Sequence, residues 1–254
     1  MADTYENIKR KIILHAQESY IFSAISRRHL LSVCTHIQVT AQEGQAEKVE
    51  SSLKAIQAYS TSDKEPGCLT YRVCRSGNEF FIFEEYANGG AIQEHFETEG
   101  FKNLVSEVGK GTLVVGILHH TSTYSRVQIL GSSSPIDSTP LHKHKLIKMS
   151  ESFEHFNGKV ITRASFTAED GHADELAKAL KAVQEYAVSD KEPGCLTYRV
   201  NRSGNHFFMF EEYASASAIT EHRTTPPYVA LGTLVKSQPM VVPGTRQVLF
   251  YEEV

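Results

Sequence analysis

The sequence predicts an α+β protein made of two ferredoxin-like domains, each with the element order βαββαβ. The main observation is a duplication: residues 62–95 and 189–222 share 27 of 34 positions at a constant offset of 127, half of the 254-residue length. A repeat of this period is a duplicated domain rather than a solenoid unit. The second observation is that each copy alternates strand-like and helix-like hydrophobic patterns, which is typical of an α+β domain.

The first half of each domain is predicted from hydrophobic spacing. Residues 33–40 alternate as a strand, and apolar positions at spacings of four, three and four between Val49 and Ser60 predict a helix. The segment Glu65-Pro66-Gly67 predicts a type II turn, because proline presets one turn dihedral and glycine tolerates positive φ. The second copy repeats these patterns.

The second half of each domain begins with a hairpin. Residues 68–75 and 80–86 are rich in β-forming residues and are joined by a short turn containing Gly77. A helix from Asn88 and a last strand at 113–118 complete the domain, and the matching last strand of the second copy is expected at 240–242. An isolated four-stranded sheet would leave one apolar face in water. We therefore expect the two domains to pair sheet to sheet within the chain.

These patterns divide the chain into four parts. Residues 1–31 form an N-terminal extension that we expect to be helical, and residues 32–120 form the first domain. Residues 121–157 are a linker, because they include the Gly-Ser-Ser-Ser-Pro segment at 131–135. Residues 158–254 form the second domain.

The composition restricts the class of protein. A net charge of −4 and a pI near 6.3 give no basic surface for nucleic acid. The longest apolar runs are far shorter than the roughly 20 residues of a membrane span. The N-terminus has no secretory signal, and the four cysteines follow no metal-ligand spacing, so we expect a cytoplasmic protein with reduced thiols. The expected assembly is a pseudo-dimer within one chain, to which a higher oligomer could be added.

Three linked motifs identify a family. Glu-Pro-Gly-Cys-Leu-Thr-Tyr-Arg, Phe-Glu-Glu-Tyr and Ala-Ile-x-Glu-His follow one another in both copies. Over 32–118 and 159–245 the chain thereby resembles the antibiotic biosynthesis monooxygenase (ABM) family. Many members have Glu-x-Trp where this chain has Glu-Glu-Tyr, and the chain contains no tryptophan.

The resemblance implies a fold and an activity. The fold is a dimeric α+β barrel, which here would form within one chain. The activity is that of a cofactor-independent monooxygenase or quinol oxidase, with molecular oxygen as co-substrate and no metal or cofactor site. Its substrate would be a phenolic, anthrone-like or other small apolar enolizable molecule.

Oxygenation of this kind needs a base, hydrogen-bond donors for the substrate anion and an apolar pocket. We interpret His95 and His222 as the bases, because each shares a helix face with apolar residues and the family pattern also places a histidine there. The alternative is a core histidine held by a backbone carbonyl or by Glu85 or Glu212. Tyr71 and Tyr198 are either hydrogen-bond donors to substrate or core aromatic residues.

Other strand residues are candidates for the wall of the pocket. Arg72 and Arg199 are expected on the opposite sheet face, where a structural ion pair is favoured over substrate contact. The candidate substrate-binding residues are Thr35, Thr162, Phe81, Phe83, Phe208, Phe210, Glu85 and Glu212.

Two other functions fit the same sequence. One is haem binding or haem cleavage with the inward histidine as axial ligand. The other is a non-catalytic module that binds a lipophilic metabolite. Because the first strand and first helix match at only 11 of 30 positions between the copies, and the last quarter of the repeat matches still less well, we also expect two pockets of different shape, one of them degenerate.

Overall fold

The computed structural model describes residues 33–123 and 151–254, with side chains in the first range described as far as residue 117. The chain divides into two units, and the short segment Tyr251–Val254 belongs to the first of them. The N-terminal extension predicted at 1–31, and most of the predicted linker, lie outside the described residues. No helix within the described residues has the length and apolar character needed to cross a membrane.

The first unit is an antiparallel sheet with helices packed on one of its faces. The strand order is β4-β1-β3-β2. Its elements are β1 (Val33–Ala41), α1 (Ala46–Ser60), β2 (Cys68–Ser76), β3 (Glu79–Tyr86), α2 (Gly89–Phe96), α3 (Glu99–Gly109) and β4 (Val114–Thr123).

The second unit repeats this arrangement with strand order β8-β5-β7-β6. Its elements are β5 (Val160–Thr167), α4 (Ala173–Ala187), β6 (Cys195–Ser203), β7 (His206–Tyr213), α5 (Ala216–His222), α6 (Pro226–Ser237) and β8 (Gln247–Glu253), of which residues 251–253 belong to the first unit.

The predicted α+β class and ferredoxin-like order are confirmed in both units. The structure adds one element to each unit, because the helical segment after the hairpin is two helices. In the first unit α2 ends at Phe96, and Thr98 caps α3 by accepting from the amide of Phe101. The sheet-to-sheet pairing of the two domains stays a prediction.

The predicted last strand of the second copy, 240–242, is wrong. Only an isolated bridge between Ala168 and Val241 forms there, and the strand lies later, at Gln247–Glu253. Pro243 has no amide to donate to a ladder, and Gly244 adopts a positive φ of 78°, so the chain turns away after Val242.

Each core lies between the sheet and its helices. In the first unit, Val49, Leu53 and Ile56 of α1 are buried against Val73 and Ile82 of the sheet. The predicted apolar stripe of α1 is therefore confirmed. The structural ion pair favoured for Arg72 also exists: its guanidinium binds the carboxylate of Glu253, with Nη2 at 2.6 Å from Oε2.

The turn after α1 is held by a close backbone approach. The amide of Cys68 donates to the carbonyl of Glu65 at 3.0 Å, which closes a four-residue turn. A type II turn requires a positive φ at its third residue, and Gly67 does not adopt one. The predicted type II turn is therefore wrong. Glycine is required there for packing instead, because a Cβ on Gly67 would lie 2.4 Å from Cβ of Ala91 in α2. Gly194 approaches Ala218 in the same way, at 2.6 Å.

Gly67→Ala is therefore expected to lower the free energy of unfolding by about 1–3 kcal/mol, because the added methyl forces the turn and α2 apart. The control is Gly232→Ala in α6, where a Cβ meets nothing within 4 Å and alanine favours the helix by up to about 1 kcal/mol. Urea unfolding of both variants measures the difference. Unchanged stability of Gly67→Ala would contradict the close approach.

Candidate active site

Helix α2 carries His95 into the interior of the first unit. The side chain of Asn88 caps the helix by accepting from the amides of Gly90 and Ala91, at 2.9 and 3.1 Å. The face formed by Ala91, Ile92 and His95 is buried, and His95 is only 1% exposed. The inward orientation expected from the sequence is therefore what the structure has, and His222 in α5 is buried in the same way.

A carboxylate from the turn after α1 binds this histidine. Oε1 of Glu65 lies 2.8 Å from Nδ1 of His95, and Oε2 of Glu65 accepts a 2.8 Å hydrogen bond from the hydroxyl of Ser60. Nε2 of His95 is buried and has no hydrogen-bond partner among the described residues. The turn therefore does more than join α1 to β2, since it delivers the partner of the histidine.

The second unit builds the same pair with one substitution. Nδ1 of His222 lies 2.6 Å from Oε1 of Glu192. Ala187 stands at the position of Ser60, so no hydroxyl reaches the other carboxylate oxygen. Oε2 of Glu192 is buried without a partner in the part of the chain that the structure describes.

Aromatic rings enclose both histidines. The ring of His95 lies 5.6 Å from those of Tyr71 and Tyr86 and 5.2 Å from that of Phe101, measured between centroids. The copies of these residues surround His222 at 4.9 to 5.4 Å: Tyr198, Tyr213 and Tyr228.

A second carboxyl, Glu84 of β3, lies beside this cluster. It is 1% exposed and accepts a hydrogen bond from the hydroxyl of Tyr86 at 3.2 Å, while Tyr71 also interacts with it. Burial raises the pKa of Glu84 to about 7, and His95 and the Tyr86 hydroxyl oppose that rise. Burial and Glu84 hold the pKa values of Tyr71 and Tyr86 well above the usual range, so both hydroxyls keep their protons at neutral pH.

Glu211 is the copy of Glu84 and behaves in the same way. It accepts from the hydroxyl of Tyr213 at 2.9 Å, and burial raises its pKa to about 7. The nearby Arg223 opposes that rise, whereas the first unit has the uncharged Phe96 at the position of Arg223.

An apolar cavity lies between the sheet and the helices of the first unit. Among the described residues that line it, Tyr71 and Glu84 are the two with polar side chains, and almost all of the surface of its wall is apolar. His95 does not line it directly, but its ring packs against Tyr71 and Phe101, which do. The lining residues are Ile37, Val39, Val49, Leu53, Tyr71, Ile82, Glu84, Phe101, Leu104, Val105, Val108 and Ile117.

The structure separates the predicted pocket-wall residues into two groups. Thr35 shares the helix-side face of β1 with Ile37 and is the register partner of Glu84, and Thr162 is likewise paired with Glu211. The others lie on the face directed away from the helices, because neighbouring strand residues point to opposite faces. That second group consists of Phe81, Phe83, Glu85, Phe208, Phe210 and Glu212.

Glu85 and Glu212 are engaged by other residues on that face. Glu85 accepts from Thr70 at 3.4 Å, and Glu212 accepts from Lys159 at 2.9 Å and from Thr197 at 3.2 Å. The histidines are instead held by Glu65 and Glu192. The sequence patterns do not single out these two residues, although a glutamate precedes each histidine by thirty positions in both copies. The catalytic and binding roles assigned from the sequence stay predictions.

Within residues 33–117 and 151–254, no group of three or more His, Cys, Asp and Glu side chains is arranged to hold a metal ion. The expectation that the protein needs no cofactor stays a prediction.

Solved structures with the same architecture cover nearly the whole chain. A candidate monooxygenase from Lactobacillus acidophilus superposes with a TM-score of 0.65 at 16% identity, covering 87% of this chain and 93% of its own. A candidate monooxygenase from Fusobacterium nucleatum gives 0.66 at 14% identity, with 89% and 93% covered. An anthrone oxidase-like protein gives 0.54 at 16% identity, with 89% and 92% covered. At these identities the likeness shows the fold.

No functionally curated protein matches the chain in sequence. The model of the antibiotic biosynthesis monooxygenase family matches it twice, over residues 32–107 and 160–232, which together make up more than half of the chain. Both matched segments contain the buried glutamate–histidine pair and the inward carboxyl of β3 or β7. The chain therefore belongs to the antibiotic biosynthesis monooxygenase family, a family of oxidoreductases, and carries its domain twice.

Proposed function

We propose that the protein is a cofactor-independent monooxygenase or quinol oxidase acting on a small apolar phenolic, anthrone-like or other enolizable molecule. The observation that carries this proposal is the cavity of the first unit, whose described lining residues are apolar apart from Tyr71 and Glu84. An apolar ring system would be bound by the wall, and its oxygen would meet the two polar groups.

Glu84 suits the role of general base. A base is most effective when its pKa lies near the working pH, and burial brings the pKa of this carboxyl to about 7. Oε1 of Glu84 has no hydrogen-bond partner among the described residues, so it can accept a proton from substrate. The His95–Glu65 pair lies behind Tyr71 and can accept the proton in turn.

The proposed reaction on an anthrone-like methylene balances as R₂CH₂ plus O₂ giving R₂C=O plus H₂O. Glu84 removes one proton, and the hydroxyl of Tyr71 donates a hydrogen bond to the resulting enolate oxygen. The electron-rich carbon reduces O₂ and forms a carbon–oxygen bond. Loss of the second proton from that carbon then cleaves the O–O bond, and the departing oxygen leaves as water.

The geometry supports the other two functions less well. An axial ligand to haem would have to present a ring nitrogen at the cavity wall, and His95 lies behind Tyr71 and Phe101 instead. A non-catalytic binding module would use the same apolar wall but would have no need for a buried carboxyl that titrates near neutrality.

Glu84→Gln is expected to lower kcat for oxygen uptake by about 10²- to 10⁴-fold on whichever member of a quinol and anthrone panel the protein oxidises, because the amide cannot take the proton. The exposed Glu94→Gln in α2 is the matched control and should leave the rate unchanged. Oxygen-electrode assays with purified protein measure both.

The same panel distinguishes the rival functions. A ligand retained in native mass spectrometry without any oxygen consumption would support the binding module and overturn the proposal. A Soret band on titration with haem, together with haem loss under turnover, would overturn it in favour of haem cleavage.

Glu84→Gln should also change the pH dependence of stability. Because the folded-state pKa of about 7 lies above the usual 4.5, the folded protein binds the proton more tightly, and this stabilisation is complete below about pH 4.5 and lost as the pH rises through 7. Glutamine cannot ionise. The stability of the variant relative to the unmodified protein is therefore expected to increase by up to about 3 kcal/mol between pH 4.5 and 8. Urea unfolding across this range measures it, and a constant difference would contradict the raised pKa.

A further inference from the structure

The two glutamate–histidine pairs differ in a hydroxyl group beside the carboxylate. In the first unit, Ser60 donates to Oε2 of Glu65 at 2.8 Å and its Oγ lies 3.3 Å from Nδ1 of His95. In the second unit Ala187 provides no such group, and Oε2 of Glu192 is buried without a partner among the described residues. The contact of the other carboxylate oxygen with Nδ1 is the same in both pairs, while Tyr228 and Arg223 replace Phe101 and Phe96 near the second histidine.

The hydroxyl of Ser60 constrains where the imidazole proton lies. A serine hydroxyl has one proton to donate, and here it is directed at Glu65. Towards Nδ1 of His95 the same oxygen can therefore only accept, which requires a proton on Nδ1. A carboxylate that accepts from both Ser60 and His95 is stabilised in its ionised form.

In the second pair, the carboxyl holds a proton more tightly than the imidazole does. Burial, with a contribution from Glu221, raises the pKa of Glu192 to about 7, and burial with Arg223 lowers the pKa of His222 to about 4. Below neutral pH a protonated carboxyl therefore faces a neutral imidazole. The acid proton of Glu192 is then the one that bridges to Nδ1, and the ring proton of His222 lies on Nε2.

We propose that Ser60 is a positioning residue that holds Glu65 as a hydrogen-bond acceptor and the proton of His95 on Nδ1, so that Nε2 of His95 is a proton acceptor, whereas His222 holds its proton on Nε2 and is not. One duplicated repeat thereby has one basic histidine and one structural histidine. The catalytic consequence rests on the proposed function, but the difference in tautomer does not.

Other groups that face the two pairs could also influence their protonation. Around His95 they come from β2 and β3, and around His222 from β6, β7, α5 and α6. They are Cys68, Tyr71, Glu84 and Tyr86 in the first unit and Cys195, Tyr198, Glu211, Tyr213, Glu221, Arg223 and Tyr228 in the second. Ser60→Ala and Ala187→Ser leave all of them in place, so the exchange isolates the hydroxyl.

The test is ¹⁵N NMR of the imidazole nitrogens at pH 6.5 in the full chain, with assignments from His95→Gln and His222→Gln. Protonated and unprotonated ring nitrogens have widely separated chemical shifts. In the unmodified protein we expect Nδ1 of His95 and Nε2 of His222 to be the protonated nitrogens. Ser60→Ala should move the His95 proton to Nε2, and Ala187→Ser should move the His222 proton to Nδ1, while Ser60→Thr keeps the native pattern at His95.

Identical tautomers of the two histidines in the unmodified protein would overturn the inference. Unchanged shifts in a folded Ser60→Ala would also overturn it, and if that variant does not fold, unchanged shifts in Ala187→Ser would do so. In oxygen-uptake assays, Ser60→Ala is expected to lower kcat about tenfold or more with little change in KM, whereas Ala187→Ser keeps the unmodified rate. The predicted tautomers in a protein that consumes no oxygen would contradict the proposed function and leave this inference standing.

Discussion

A buried carboxylate–imidazole pair connects the turn after the first helix to the helix that follows the hairpin in each unit. Glu65 can reach His95 only because Gly67 lets the turn lie against Ala91. Losing one member of such a pair leaves an uncompensated polar group in the interior, which typically costs about 3–5 kcal/mol. This one contact therefore links the turn to the helix and holds the imidazole against the surrounding tyrosines. The histidine in turn supports the wall of the candidate active site from behind.

The duplicated motif has two functions that its sequence does not separate. Gly67 and Gly194 are required by packing, while Glu65 and Glu192 are required by the histidines. The positions at which the copies differ are more informative about chemistry, since Ser60 donates a hydrogen bond to Glu65 whereas Ala187 offers none to Glu192.

Much of the fold could be predicted because it depends on local periodicity. The stripe of α1, the hairpin strands and the inward histidines all follow from spacing alone. The inward carboxyl could not be chosen between Glu84 and Glu85, because a shift of one residue reverses the face of a strand and both positions carry glutamate. The role of Glu65 could not be predicted, because this residue lies in a turn and the histidine that it binds is distant in the sequence. The last strand was misplaced because Pro243 interrupts an apolar run that otherwise reads as a strand.

In the proposed function, the substrate lies between the sheet and the helices of the first unit, with its oxygen at Tyr71 and Glu84. The most direct measurement is a crystal structure of the protein with an oxidised quinone or anthraquinone product bound. We expect a ring system within the cavity and a product oxygen within hydrogen-bond distance of the hydroxyl of Tyr71. A product bound instead on the sheet face that carries Phe81 and Phe83 would contradict it.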